Sequence, residues 1–239
     1  MSNIPNAIIL LSGGLDSSVT AFYVKDKFKP KNIICLFFDY GQRTLKQEES
    51  SSRIICKLIN GTFKKINISW LKEFNTSIIN KDIKKTSNYT EKDLGNIKKT
   101  KQELENWWVP ARNLIFISSA LALAESEQIK KNIHYNIYTG FKSEGQIPMK
   151  DATPEFLSLM NKMVKHATLK ENYKIIAPLI NYDKDKIVEI GTKLKVPLEK
   201  TFSCYISNKN GHCGKCEACI LRKKAFYWAN IKDKTIYLN

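Results

Sequence analysis

Apolar residues along this chain come in two rhythms that alternate. Residues 7–11 (Ala-Ile-Ile-Leu-Leu) are apolar at every position and too few for a helix, which predicts a strand buried on both faces. After Ser12-Gly13-Gly14, residues 16–27 carry Val19, Ala21, Phe22 and Val24 at helical spacing, with Pro30 just beyond. Residues 32–38 repeat the buried-strand pattern. Residues 44–60 predict a helix with Ile54, Ile55, Leu58 and Ile59 toward the core and Gly61 as its stop, and 63–68 predict a third strand. Strand, helix, strand, helix, strand implies a parallel sheet wrapped by helices, with crossovers of one hand.

The rhythm lapses between residues 80 and 106, which are polar, Lys-rich and poor in core residues. A stretch this long inside a compact domain is a solvated surface insertion, a functional lid or disordered. Order returns at Trp107-Trp108-Val109-Pro110-Ala111-Arg112-Asn113, which opens a long helix to about residue 128. A strand at 133–139 ending at Gly140, a helix at 154–164, a last strand at 174–177 and a helix at 183–195 follow. The expected architecture is α/β, a doubly wound parallel sheet over residues 1–200, with residues 201–239 as a small segment packed on it. The longest apolar stretch, 114–124, is broken by Ser118 and Ser119 and too short to span a bilayer. The first residues lack a signal peptide's basic region and cleavage site, so a cytoplasmic protein with no membrane partner is expected.

Charge changes this picture less than its size suggests. The 239 residues carry 39 Lys plus Arg against 23 Asp plus Glu, a net charge of +16, which invites a nucleic-acid partner. Only four of those cations are Arg, the residue whose fork pairs with phosphate and guanine. Twenty Asn and many Ile accompany them, as an AT-rich coding sequence would dictate. A nucleic-acid or protein partner stays open, and charge alone selects no function.

Two motifs carry chemistry. Ser12-Gly13-Gly14-Leu15-Asp16-Ser17-Ser18 stands between a strand and a helix, where glycine admits close backbone approach and helix-start N–H groups face an anion. Asp16 would repel a phosphate, and a bridging Mg²⁺ reconciles the two because both offer hard oxygen ligands. The second motif is Cys204-x8-Cys213-x2-Cys216-x2-Cys219, a spacing suited to a tetrahedral, structural zinc. His212 is a competing ligand, whereas Cys35 and Cys56 fall in apolar segments and read as buried hydrophobes.

The heptad resembles the PP-loop of the ATP pyrophosphatases, with their adenine nucleotide alpha hydrolase-like fold. Together with Asp39-Tyr40-Gly41-Gln42-Arg43, Val109-Pro110-Ala111-Arg112-Asn113, Pro178-Leu179 before Lys184, and Thr201-Phe202-Ser203-Cys204-Tyr205, the ordered set resembles the 7-cyano-7-deazaguanine synthase family. That resemblance implies an ATP-dependent carbon–nitrogen ligase. It would convert 7-carboxy-7-deazaguanine and ammonia to the nitrile through adenylated intermediates, as a homodimer using ATP, Mg²⁺ and Zn²⁺. It also implies that Ser12, Gly13, Gly14, Leu15, Asp16, Ser17, Ser18 and Asp39 bind the nucleotide. Asp16, Lys184 and Arg112 would be catalytic, and Arg112, Asn113 and Asp151 would meet the deazaguanine. Residues 141–153 depart from the family's Tyr-Pro-Asp-Cys, reading Met149-Lys150-Asp151-Ala152. Three other readings stand beside it: a diverged relative that adenylates another, even macromolecular, carboxylate; a tRNA-modifying PP-loop enzyme such as a thiolase; and a non-enzymatic zinc-containing nucleic-acid binder.

Overall fold

The computed structural model describes residues 6–80, 89–143, 147–170, 172–207 and 209–238. Five strands form one sheet: β1 (Asn6–Leu10), β2 (Ile33–Asp39), β3 (Thr62–Asn67), β4 (Tyr135–Tyr138) and β5 (Ile175–Ile176), in the order β3-β2-β1-β4-β5. Every pairing is parallel, with Ile9 opposite Cys35 on one side and Tyr138 on the other. The helices are α1 (Leu15–Phe28), α2 (Leu45–Leu58), α3 (Ile97–Trp107), α4 (Arg112–Lys131), α5 (Pro154–Ala167), α6 (Lys184–Lys193) and α7 (Glu217–Trp228).

Because successive strand residues face opposite ways, the continuous apolar runs feed two cores. Ile8, Leu10, Ile34, Leu36 and Phe38 pack with Ile117, Ala120 and Leu121 of α4 and Met160 and Val164 of α5. Ala7, Ile9, Leu11, Ile33 and Cys35 pack with Val19 and Val24 of α1, Ile55 of α2, Ile187 of α6 and Phe226 of α7. The sheet is therefore doubly wound, as the alternation predicts. The strand order reverses between β1 and β4, and the ends of these two strands open the crevice where α/β sheets take ligands.

Three details differ from expectation. Ile55 and Ile59 are buried, but Ile54 and Leu58 are exposed, because α2 turns only one stripe to the sheet. Part of the polar insertion is ordered: α3 is capped at Asn96, whose side chain accepts from the Lys99 N–H, and it buries Glu103 and Trp107. Residues 81–88 of that insertion lie outside the described residues. The third is α7, which has no counterpart in the apolar pattern and buries Cys219, Ile220, Arg222, Ala225 and Phe226. Among the described residues no single helix is long and apolar enough to cross a membrane.

Candidate active site

The Ser12–Ser18 motif forms the turn from β1 into α1. Gly13 has φ +78°, and a Cβ there would lie 2.5 Å from the Glu48 carbonyl oxygen, so only glycine lets the turn lie against α2. Gly14 is the extended cap residue of α1, and its carbonyl accepts from the Ser18 N–H at 3.1 Å and the Ser17 hydroxyl at 3.3 Å. The Ser12 and Ser17 hydroxyls share a hydrogen bond of 3.0 Å. Gly140, just past β4, closes the other wall. A Cβ on it would stand 2.7 Å from Ser17 Cα, so the end of β4 and the start of α1 meet almost backbone to backbone.

The loop lines a cavity of about 820 Å³. Lys184, the first residue of α6, reaches to 3.6 Å from Asp16 Oδ2. Asp16 Oδ1 is buried with no hydrogen-bond partner among the described residues, leaving a hard oxygen of the kind Mg²⁺ takes. The first helical residue of α4 is Arg112, which follows Ala111 in the left-handed region (φ 54°). Its guanidinium lies 5.6 Å from the Tyr40 ring centroid, near Tyr205 and Asp151. Burial alone would lower its pKa; Tyr40, Tyr205 and Asp151 outweigh that and raise it, so the cation persists. Asn113 donates its side-chain amide to the Asp151 carbonyl at 3.1 Å. Burial pushes the Asp151 carboxyl above its usual range, although Arg112 opposes it.

Ser12, Gly14, Leu15, Asp16, Ser17, Arg112, Asn113 and Lys184 thus converge on one cavity. Gly13 and Ser18 stand behind its wall as supports. Asp39 pairs with Lys65 at 3.3 Å and accepts from the Gly41 N–H, at the carboxyl end of β2 between the lining residues Phe38 and Tyr40. Asp151 is buried behind Met149 and Ala152, which do line it.

Sequence reasoning missed Glu48 and Tyr205, both cavity-lining, and the fully buried Arg222. Glu48 reads as solvated because its neighbours Lys46, Gln47 and Glu49 are polar. Arg222 lies in an unpatterned basic run, yet its guanidinium holds the Thr201 hydroxyl at 2.8 Å, the Ser203 hydroxyl at 3.0 Å and the Leu198 carbonyl at 2.7 Å.

The four motif cysteines gather beside this cavity, their sulfurs all within 4.8 Å of one another. Neighbouring pairs lie 3.4, 3.9 and 4.0 Å apart. Four sulfurs tetrahedral about a zinc at about 2.3 Å would stand ~3.8 Å apart, so the residues present fit the ion. Backbone N–H groups of Ser207 (3.2 Å) and Cys213 (3.3 Å) donate to Cys204 Sγ, and that of Cys216 (3.3 Å) to Cys213 Sγ, which favours thiolates. The competing ligand His212 is turned away: its Nε2 accepts the Ser203 N–H at 2.9 Å, and burial holds its pKa down to about 4. Cys35 and Cys56 are buried, as expected.

Fold and site define a class: a doubly wound α/β protein with a glycine- and serine-rich loop at its switch point and a four-cysteine cluster beside it. The family model for "Queuosine biosynthesis protein QueC" matches residues 6–230. A 7-cyano-7-deazaguanine synthase from Methanococcus maripaludis (strain S2) is 37% identical, covering 97% of this chain and 98% of its own length. The one from Methanosphaera stadtmanae is also 37% identical, over 98% of each chain. Among solved structures, an NMN synthetase from Francisella tularensis overlays with a TM-score of 0.42 at 15% identity, over 96% of this chain and 79% of that one. This chain belongs to the QueC family.

Proposed function

We propose that this protein converts 7-carboxy-7-deazaguanine and ammonia to 7-cyano-7-deazaguanine, using two ATP. The observation that carries the reading is the convergence of the Ser12–Ser18 loop, the Asp16–Lys184 pair and Arg112 on one cavity in a QueC-family chain. A carboxylate is a poor electrophile and hydroxide a poor leaving group, so the carboxylate oxygen attacks the α-phosphorus of ATP, the bond to pyrophosphate breaks, and an acyl–AMP anhydride forms. Ammonia displaces AMP to give the amide, and a second adenylation on the amide oxygen lets AMP leave as the nitrile forms.

In this reading the α1 N-terminus and the Ser12 and Ser17 hydroxyls hold the pyrophosphate end of ATP. Asp16 would hold Mg²⁺, which when bound neutralises phosphate charge. Lys184 stabilises charge developing on the departing phosphates, and Arg112 with Asn113 orients the acceptor carboxylate. The four cysteines would hold zinc as a closed structural site within the 201–239 segment, packed on the 1–200 body. The departure at 141–153 reaches the cavity through Phe141, Lys142, Ile147, Met149 and Ala152, so it reshapes one wall while Asp151 remains. A thiolase would need a sulfur-carrying cysteine; Cys35 and Cys56 are buried and the other four are committed to the centre. The enzyme would work in the cytoplasm as a homodimer.

Mass spectrometry of a mixture of protein, 7-carboxy-7-deazaguanine, MgATP and ammonium tests the proposal. Amide followed by nitrile, with AMP released, is expected. No mass loss from the carboxylate overturns it, and AMP release only with another acceptor would transfer the chemistry to a different carboxylate.

A further inference from the structure

Tyr205 has no role in the scheme above, yet its placement is closely determined. It follows Cys204, whose sulfur accepts the N–H groups of Ile206 (3.4 Å), Ser207 (3.2 Å) and Cys213 (3.3 Å), so the backbone around it is clamped to the cysteine centre. Its ring lies against that of Trp107, centroids 5.2 Å apart, and Trp107 is buried. Clamped at both backbone and ring, the half-buried side chain has one wall of the cavity as its place.

Asp16 and Lys184, assigned above to the phosphate end, and Arg112 and Asn113, assigned to the acceptor, line the same cavity as Tyr205. The charges of Lys184, Asp16, Arg112 and Glu48 all act on its phenol, which burial keeps protonated. The Tyr205 hydroxyl has no hydrogen-bond partner among the described residues, and it is not one of the sealed buried oxygens. A donor without a protein partner, on the wall of the cavity that the Ser12–Ser18 loop, Lys184 and Arg112 also line, faces the space an acyl group joined to AMP would occupy.

Resting on the activity proposed above, we infer that the Tyr205 hydroxyl donates a hydrogen bond to the oxyanion formed when ammonia adds to the adenylated carboxyl carbon. In that step the nitrogen lone pair forms the C–N bond while the carbonyl π pair moves onto oxygen. The oxyanion then collapses, the C–O bond to AMP breaks with its electron pair leaving on AMP, and the nitrogen loses a proton to water. Tyr205 keeps its own proton throughout. Its bond strengthens as charge grows on the oxygen, which is how a preorganised donor lowers a barrier.

Tyr205→Phe retains the ring that packs on Trp107 and removes only the donor. Two rates are compared with wild type: adenylate formation from 7-carboxy-7-deazaguanine and MgATP without ammonium, and single-turnover amide formation once ammonium is added. Adenylation should stay within about twofold and amide formation should fall about 100-fold, the usual loss for one oxyanion donor, with the melting temperature unchanged. Amide formation close to wild type overturns the inference, as does an equal fall in both rates. A wild-type protein that adenylates nothing overturns the underlying activity and the inference with it. An active wild type beside an equally active Tyr205→Phe overturns the inference alone.

Discussion

Phe202 donates its backbone N–H to the Gly13 carbonyl across 2.8 Å, tying the chain entering the cysteine centre to the Ser12–Ser18 turn. Cys204 lies two residues on, and Arg222 grips Thr201 and Ser203 on either side of Phe202. The centre therefore supports the loop as well as its own segment. Stripping the metal with a strong chelator should lower the melting temperature by about 10 °C, on the order of several kcal/mol for a domain of this size. ATP-dependent turnover should be lost with it, and elemental analysis of untreated protein should find one zinc per chain. A metal-free protein with an unchanged melt and full activity would refute this.

Lys184 and Asp16 stand 3.6 Å apart, beyond a direct hydrogen bond, with their side chains 18% and 28% exposed. The cost of desolvating both charges offsets their attraction, so the pair contributes little to folding. In the function proposed above, Lys184 would serve as the cation at the phosphate end. Lys184→Ala should cut kcat at least 100-fold while shifting the melting temperature by no more than about 2 °C. Steady-state kinetics and a circular-dichroism melt on the same preparation decide it. A stability loss as large as the activity loss would recast Lys184 as a structural residue.

Those two predictions rest on parts of the molecule the sequence makes legible, and for a physical reason. β1 and β2 are buried on both faces, so their apolar runs are unbroken, and loop chemistry written in glycine and serine follows directly. Cysteine spacing is equally direct, since ligands at two-residue intervals can converge without help from the rest of the fold. Glu48, Tyr205 and Arg222 are different. Arg222 is buried through Thr201 and Leu198 and Tyr205 packs on Trp107, partners distant in sequence that no local rhythm records. Glu48 is held by the nearby Thr44 and Gln42 but sits in a run of polar neighbours that hides its burial. α3 was obscured for the opposite reason, because it exposes a polar face and buries little beyond Glu103 and Trp107.

Gly140 offers a test of the switch-point geometry without touching a charged group. A Cβ there would stand 2.7 Å from Ser17 Cα and 2.8 Å from Ser17 N, and backbone atoms of a helix start cannot swing aside as a side-chain tip does. Gly140→Ala should cost about 1–3 kcal/mol in urea unfolding. Because the displaced backbone is that of Asp16 and Ser17, the KM for ATP should rise at least tenfold, on the order expected when a positioned group moves by an ångström. An unaltered KM would mean that the loop does not lean on β4.

Glu48 supplies the pH dependence. It is buried in the first turn of α2, accepting from the Thr44 hydroxyl and, at 3.2 Å, from Gln42 Nε2. Burial raises its pKa above the ordinary 4.5, although Thr44, Gln42 and Arg112 pull it down. The folded protein thus holds this proton more tightly than the unfolded chain does. Its favourable contribution is complete below the unfolded-state value and is lost as pH rises through the folded-state value. Glu48→Gln resembles the protonated form at every pH. The stability of the variant relative to wild type, from urea unfolding at pH 5 and pH 8, should therefore shift in favour of the variant at the higher pH. A gap that stays constant, or moves toward wild type on raising the pH, would show instead that Arg112 and the two hydrogen bonds outweigh burial and keep Glu48 ionised.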